Sequence, residues 1–276
     1  MHERAQVDRQ YSRSDPLIVR LETHRLYEER PVDLDQESAQ LLQLRGDESI
    51  IDVGPGPGRF EQYLRASGHR GPLAGIDQSR TMVREARTTL GEAGERRTHW
   101  IVGSAEHLPI ADGSFDRVVA RHMLYHVPEI PVALRAFCRV LRPGGSVLVS
   151  TNAERSLPGI TDLLSDMLVA FGLPPVHSNQ APFSMSNAAT ILRSIFDQVE
   201  TRSIENALVF SEPQPIVRYI ATLFPSLPVT DDAAVTSRML EWLRVEASRR
   251  LADHGGIWRD PKDVGFYLCR MTSSHA

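Results

Sequence analysis

Short apolar runs alternate with amphipathic stretches through the first two thirds of the chain. The run at 49–53 is too short for a helix and fits a buried parallel strand. Further strands are predicted at 72–77, 99–102, 115–120 and 146–151, with helices at about 57–67, 79–93 and 128–142. This alternation predicts βαβ units, and hence an α/β fold with a mostly parallel sheet between layers of helices.

The pattern loosens on either side of this block. Residues 16–28 place Leu17 and Leu21 on one helical face, and Asp33 is expected to cap a second helix that runs to about Leu44. After 151 we predict helices at 158–172, 186–195, 213–224 and 231–252, an extended segment at 197–210 and a last strand at 264–271.

Composition narrows the class of protein. The chain is 41% hydrophobic and 24% charged, as in ordinary globular proteins, and its net charge of −4 argues against nucleic-acid binding through bulk electrostatics. It contains no apolar run of membrane-spanning length and no signal-peptide core at its polar start, and Cys138 and Cys269 lie in apolar patterns that suit buried thiols. We therefore expect a cytoplasmic protein without membrane or nucleic-acid partners.

The first predicted strand runs into three glycines, Gly54, Gly56 and Gly58, separated by two prolines. Glycine permits a tight turn and close approach of a ligand, and the helix that follows would offer its free N–H groups. An ordinary strand–helix turn would use the same residues. The G-x-G-x-G spacing differs from the G-x-G-x-x-G of dinucleotide-binding proteins, which disfavours an NAD(P) oxidoreductase.

With Asp52 two residues before Gly54, this stretch resembles motif I of the class I S-adenosylmethionine (SAM) methyltransferases. The resemblance continues through Gly103–Pro109, Arg121–Pro128 and Arg139–Gly145. The chain is similar to small-molecule methyltransferases that carry the sequence HMLYHV after the fourth strand, predicted here at 115–120. It covers about 48–151, and more weakly 11–27, 182–224 and 264–271.

The resemblance implies a Rossmann-like sheet of seven strands, with helices on both faces and an antiparallel pair at one edge. It also implies three parts: a helical cover at 1–45, a SAM-binding domain at 46–210 and 262–276, and a helical insertion at 211–261. The cover and the insertion would together form a lid. Exchange of N-terminal helices between subunits would be one route to a homodimer.

The family also implies a cofactor site. Asp77 would accept hydrogen bonds from the ribose hydroxyls, although it also suits a plain helix N-terminal acid. Ser104 stands where the family usually has an aspartate for the adenine amine. The implied cofactor-binding residues are Tyr11, Asp52, Gly54, Gly56, Gly58, Asp77, Gln78, Met82, Ser104, Ala105, Glu106, Arg121 and Met123.

Two further residues carry chemical predictions. Arg121 replaces the family's common asparagine, and its guanidinium would reach an anionic substrate or fold back on Glu106 or Asp116; we favour the second. His122 and His126 stand four residues apart without a third ligand, so we predict no metal site. His122 is the candidate general base, with a role in pocket shape as the alternative.

The function implied is transfer of the SAM methyl group to O, N or C of a small-molecule acceptor, with S-adenosylhomocysteine (SAH) as product. Lys262 is the only lysine among 31 basic residues, a bias that suggests a bacterial source and a specialised metabolite, as in antibiotic biosynthesis. The alternative is a protein that uses the cofactor structurally, in a cyclisation or a regulatory role.

Overall fold

The computed structural model describes residues 15–95, 97–176, 181–227 and 232–272. The strands are β1 Ile50–Val53, β2 Leu73–Asp77, β3 Thr98–Val102, β4 Phe115–Arg121, β5 Leu141–Asn152, β6 Gln198–Ile204, β7 Ala207–Phe210, β8 Trp258–Pro261 and β9 Val264–Arg270. The α-helices are α1 Asp15–Tyr27, α2 Leu34–Leu42, α3 Arg59–Ala66, α4 Arg80–Glu95, α5 Ile130–Val140, α6 Pro158–Ala170, α7 Ala188–Arg193, α8 Pro213–Ala221 and α9 Ala233–Asp253.

The chain divides into two compact units. An α/β unit takes its residues from 33–154, 182–204 and 264–276, and a helical unit from 1–32, 155–181 and 205–263. The predicted division at 45, 210 and 262, and the predicted lid, stay predictions.

A seven-stranded sheet forms the centre of the α/β unit, in the order β3-β2-β1-β4-β5-β9-β6. Strands β1 to β5 are mutually parallel, whereas β9 runs antiparallel to both β5 and β6. The predicted Rossmann-like fold is therefore confirmed. Because β1 lies between β2 and β4, the strand order reverses there, and ligands of open α/β sheets bind at the carboxyl ends of strands at such a point.

Side chains of β1 alternate between two apolar cores. Ile51 and Val53 join the core that includes Phe137 of α5, whereas Ile50 joins the core that includes Phe60 of α3. Asp52 shares the face of Ile50, because successive side chains of a strand point to opposite faces. The sheet therefore directs one buried carboxylate towards α3.

Local sequence signals explain several helix boundaries. The carboxylate of Asp33 accepts hydrogen bonds from the N–H groups of Asp35 and Gln36, so it caps α2 as predicted. Helix α5 buries Ile130, Leu134 and Phe137 on one face, but it ends at Val140. Leu141 begins β5 instead of completing the predicted helical stripe, because it is the Cα partner of Phe115 in the sheet.

The helical unit contains a second, two-stranded sheet, which the sequence did not predict. Strands β7 and β8 pair antiparallel, with Phe210 opposite Trp258. The predicted extended segment at 197–210 is therefore two strands in different sheets. The break falls at Asn206, whose side-chain oxygen accepts the N–H groups of Arg30 and Ala207 and whose amide donates to the carbonyl of Arg30.

The core of the helical unit lies among α6, α8 and α9 and includes Leu163, Met167, Ile220 and Leu243. In the same unit, the buried Lys262 forms an ion pair with Glu28. Within the described ranges, no helix is long and apolar enough to cross a membrane.

Candidate functional site

The glycine turn after β1 uses backbone conformations that favour glycine. Gly54, Gly56 and Gly58 have φ values of +73°, +57° and +74°. A Cβ atom added to Gly54 would also lie 2.8 Å from Cβ of Met123, which follows β4. The turn after β1 therefore packs closely against the end of β4, and a side chain at position 54 would displace Met123.

Asp77 links the end of β2 to this turn. Its Oδ2 accepts the N–H of Gly56 at 3.2 Å, and its Oδ1 accepts the N–H of Ser79 at 2.8 Å. Burial raises the pKa of Asp77, although both backbone donors lower it. Each carboxylate oxygen can accept a second hydrogen bond, so the group has capacity for additional donors.

Two carboxyl groups are buried together beneath the turn. Asp52 on β1 is 2% exposed and Glu61 on α3 is 1% exposed. None of their four carboxylate oxygens has a hydrogen-bond donor in the described part of the chain. Burial raises the pKa of Asp52 to about 7 and holds the pKa of Glu61 well above its usual value. The negative charge of Asp52 also raises the pKa of Glu61, whereas the guanidinium of Arg121 lowers the pKa of both groups.

Arg121, at the end of β4, lies beside this pair. Its Nη1 is 2.6 Å from Oδ1 of Asp35 and its Nη2 is 4.0 Å from Oδ2 of Asp52. Its guanidinium carbon lies 4.2 Å from the ring centroid of Phe60. The expectation that Arg121 folds back on Glu106 or Asp116 is therefore wrong.

The sheet explains that difference. Asp52 and Val119 are partners in the β1–β4 register, and Arg121 follows Val119 on the same face, towards α2 and α3. Asp116, near the start of β4, instead accepts hydrogen bonds from Ser49 and Arg142. Asp116, one of the two predicted partners of Arg121, thus lies at the opposite end of β4.

The segment after β3 forms a local network. The hydroxyl of Ser104 donates to Oε2 of Glu106 at 2.8 Å and accepts the N–H of Glu106 at 3.2 Å. Oε1 of Glu106 accepts the N–H of Glu129 at 3.1 Å. Ala105, between them, is buried. The hydroxyl proton of Ser104 is thus committed to Glu106, which leaves the serine oxygen as an acceptor.

His122 occupies a left-handed conformation directly after β4. Its φ is +51°, and its backbone N–H donates to the carbonyl of Ser150 at 2.9 Å. Non-glycine residues in this conformation concentrate at functional sites. Among the described residues, no group of three or more His, Cys, Asp and Glu side chains is arranged to hold a metal ion.

The remaining predicted site residues differ in exposure. Gln78 directly follows β2 and is half-buried, whereas Met82 on α4 is 2% exposed. Tyr11 lies outside the described residues. The residues that the fold brings to the carboxyl ends of β1 to β4 are Asp52, Gly54, Gly56, Gly58, Asp77, Gln78, Ser104, Ala105, Glu106, Arg121, His122 and Met123.

The sequence did not predict that Glu61, Asp35 and Phe60 belong to the site. A signal for Glu61 was available, because it precedes Leu64 by three residues and therefore shares the apolar face of α3. A charged residue on a buried helical face calls for a partner. The contact of Arg121 with Asp35 spans 86 residues and carries no comparable local signal.

Residues 51–149 match a family model described as a methyltransferase domain. The chain is 37% identical over 112 residues to malonyl-[acyl-carrier protein] O-methyltransferase from Erwinia pyrifoliae, a match that covers 41% of this chain and 40% of the relative. It is 30% identical over 125 residues to demethylmenaquinone methyltransferase from Listeria welshimeri, covering 45% of this chain and 53% of the relative. The match thus spans about half or less of these relatives.

Solved structures share the fold over most of the chain. A protein from Anabaena variabilis, assigned as a methyltransferase from an antibiotic biosynthesis pathway, has a TM-score of 0.63 at 16% identity, over 86% of this chain and 96% of that one. A phosphoethanolamine N-methyltransferase from Haemonchus contortus, in complex with SAH, has a TM-score of 0.59 at 15% identity, over 98% of this chain and 60% of that one. At these identities the likeness concerns the fold.

Proposed function

We propose, from the premise that residues 51–149 are a methyltransferase domain of the class I SAM-dependent family, that this chain methylates O, N or C of a small-molecule acceptor. SAM is the methyl donor and SAH the product. The observation that carries the proposal is the hydrogen bond from Gly56 to Asp77, which joins the glycine turn to an acid at the carboxyl end of the neighbouring strand.

The residues of the site fit this cofactor. Asp77 accepts two backbone donors and retains capacity for the two hydroxyls of a ribose. Ser104 offers an acceptor oxygen after β3, at the carboxyl edge where the adenine would lie. The glycines present bare backbone beside Met123, so a ligand can approach the main chain closely. The α-ammonium of the cofactor's amino-acid end would meet the acidic surroundings of Asp52.

The cofactor supplies its own leaving group, because its methyl is carried on a sulfonium. The protein therefore has to bind, orient and exclude water, and does not need a nucleophile of its own. In this proposal Asp77 fixes the ribose and the glycine turn sets the path of the chain beneath the ligand. His122 would accept a proton from the acceptor, since it directly follows β4 next to Met123 and the turn.

The proposal specifies a small-molecule acceptor but no particular compound. The two curated relatives are named for chemically different acceptors, a carrier-bound malonyl group and a quinone, so their names do not select one. The likeness to a protein assigned to an antibiotic biosynthesis pathway agrees with a bacterial specialised metabolite. A homodimer and a cytoplasmic location stay predictions.

The test is incubation of the purified chain with SAM and a panel of phenols, carboxylic acids, amines and activated-carbon acceptors. Mass spectrometry would follow both methylated product and acceptor-dependent SAH. Asp77→Ala protein is the control for background methylation. Failure of the wild type to methylate any acceptor, despite binding SAM, would contradict the proposal and favour structural use of the cofactor.

A further inference from the structure

The buried charges around Asp52 do not balance. Arg121 lies beside the cluster but pairs more closely with Asp35, because its Nη1 is 2.6 Å from Asp35 whereas its Nη2 is 4.0 Å from Asp52. If both were ionised, Asp52 and Glu61 would contribute two negative charges, and no described residue donates a hydrogen bond to either. Buried charges without compensation are strongly unfavourable, so the carboxyl pair requires a positive charge.

A shared proton meets this requirement in the free protein. All four carboxylate oxygens are buried without a hydrogen-bond donor among the described residues, and a hydrogen bond between two carboxyl groups needs a proton on one of them. Buried carboxyl pairs of this kind bind one proton far more tightly than isolated carboxyls do.

The groups that face the pair come from every neighbouring element. Asp35 of α2 and Asp77 of β2 add negative charge, Arg121 of β4 adds one positive charge, and Arg65 lies one turn along α3. The surroundings therefore favour the protonated pair as long as no further cation is present.

The pair also lies at the point where the fold predicts a ligand. Asp52 stands two residues before Gly54, and β1 lies between β2 and β4, where the strand order reverses. A cation bound at the Gly54–Gly58 turn would act on the pair through a poorly polarisable interior, where charges interact more strongly than in water.

We propose that Asp52 and Glu61 form a proton-releasing carboxyl pair, which holds one proton in the free protein and gives it up when a ligand carrying an ammonium group binds at the glycine turn. Glu61 is a positioning residue in this arrangement, since it acts through Asp52. The inference rests on the proposed function, because SAM and SAH both carry such a group. The affinity for the cofactor would then depend on pH.

Titration calorimetry with SAH tests this linkage. At pH 6.5 the wild-type protein is measured in buffers that differ in ionisation enthalpy, and the dependence of the observed heat on the buffer gives the protons released. An opposite charge nearby lowers a pKa by roughly 1–3 units, so Asp52, with a pKa of about 7, should release about half a proton or more per ligand.

Glu61→Gln is the diagnostic variant, because glutamine keeps the side-chain shape and donates its amide hydrogen to Asp52 without titrating. It should bind SAH with release close to zero. Glu85→Gln, the same change on half-buried Glu85 of α4, should release as much as the wild type. Asp52→Asn serves as a second variant if Glu61→Gln does not fold.

The outcomes separate the two claims. Binding of SAH without proton release, or release that persists in folded Glu61→Gln protein, would overturn the carboxyl pair and leave the proposed function intact. Absence of SAH binding by folded wild-type protein would overturn both. If neither variant folds, the wild type alone decides, because release should be large near pH 6–7 and fall steadily as pH rises above the Asp52 pKa of about 7. Release that does not change with pH would contradict the proposal.

Discussion

The backbone N–H of Gly56 donates a hydrogen bond to Oδ2 of Asp77 at 3.2 Å, so the turn after β1 is joined to the end of β2. The same carboxylate caps the start of the following segment through the N–H of Ser79. One acid therefore shapes the turn and presents oxygens at the edge of the sheet where a nucleoside would bind.

The first prediction concerns this acid. Asp77→Ala should weaken SAH binding by about tenfold to a hundredfold, because a charge-assisted hydrogen bond contributes roughly 1.5–3 kcal/mol. Asp77→Asn keeps an acceptor for Gly56 but loses the charge, so its affinity should fall between those of Asp77→Ala and wild type. Calorimetric dissociation constants measure both effects. An unchanged affinity in Asp77→Ala would remove Asp77 from the cofactor site.

The second prediction separates backbone strain from packing at Gly54. Gly54 and Gly172 share a φ of +73°, but only at Gly54 would a Cβ atom meet a neighbour within 4 Å. Alanine at either position should cost about 1–2 kcal/mol of unfolding free energy for the left-handed conformation. Gly54→Ala should cost roughly 1–3 kcal/mol more, because it displaces Met123.

Urea unfolding of the two variants measures this difference. Adding Met123→Ala to Gly54→Ala should restore part of the stability, because the added methyl group then has room. SAH affinity should fall in Gly54→Ala and not in Gly172→Ala. Equal costs at the two glycines would show that the contact with Met123 is unimportant.

The third prediction concerns stability and pH in the free protein. Burial raises the pKa of Asp52 to about 7 and that of Glu61 above its usual value, so the folded state binds more protons than the unfolded state. Stability contributed by the pair is therefore present below the unfolded pKa near 4 and is lost as pH rises to about 7. One proton changes it by at most about 1.4 kcal/mol per pH unit.

Urea unfolding of wild type and Glu61→Gln from pH 4 to pH 8 isolates this contribution, because the other acids are common to both. The wild type should gain stability relative to the variant as pH falls from 7 to 4. A difference independent of pH would show that the pair does not share a proton in the folded state.

The fourth prediction tests His122 as a general base. Asn tolerates the left-handed conformation that His122 adopts, with φ of +51°, so His122→Asn keeps the backbone while removing the imidazole. Turnover should fall by about a hundredfold to ten-thousandfold for an acceptor that must lose a proton. SAH affinity should stay close to wild type.

The pH profile of turnover provides a second readout for His122. The fall in rate on the acidic side, expected when a base becomes protonated, should disappear in His122→Asn. Unchanged turnover with a retained acidic limb would instead assign His122 to the shape of the pocket.

The parallel strands could be predicted from the sequence because each is a short apolar run bounded by turn residues, as in Ile50–Val53. Strand β8, with the sequence Trp258–Pro261, contains two charged residues and a proline, and only pairing with distant β7 makes it a strand. The glycine turn and the position of Asp77 at the end of β2 could likewise be predicted from the order and spacing of nearby residues.

The neighbours of Asp52 could not be predicted from the local sequence. Glu61 and Arg121 come from different elements, and their buried charges meet only because β1, β4 and α3 pack together. A strong local pattern therefore located the edge of the sheet, whereas the electrostatics of the site depend on tertiary packing.

Titration of the purified, folded chain with SAH, alongside Asp77→Ala, tests the proposed cofactor site most directly. We expect wild-type binding at one site per chain with a dissociation constant of about micromolar order, or −8 kcal/mol, and clearly weaker binding by the variant. Folded protein that binds neither SAH nor SAM would contradict the central claim. The glycine turn would then be a structural strand–helix connection, and the methyltransferase proposal would fail.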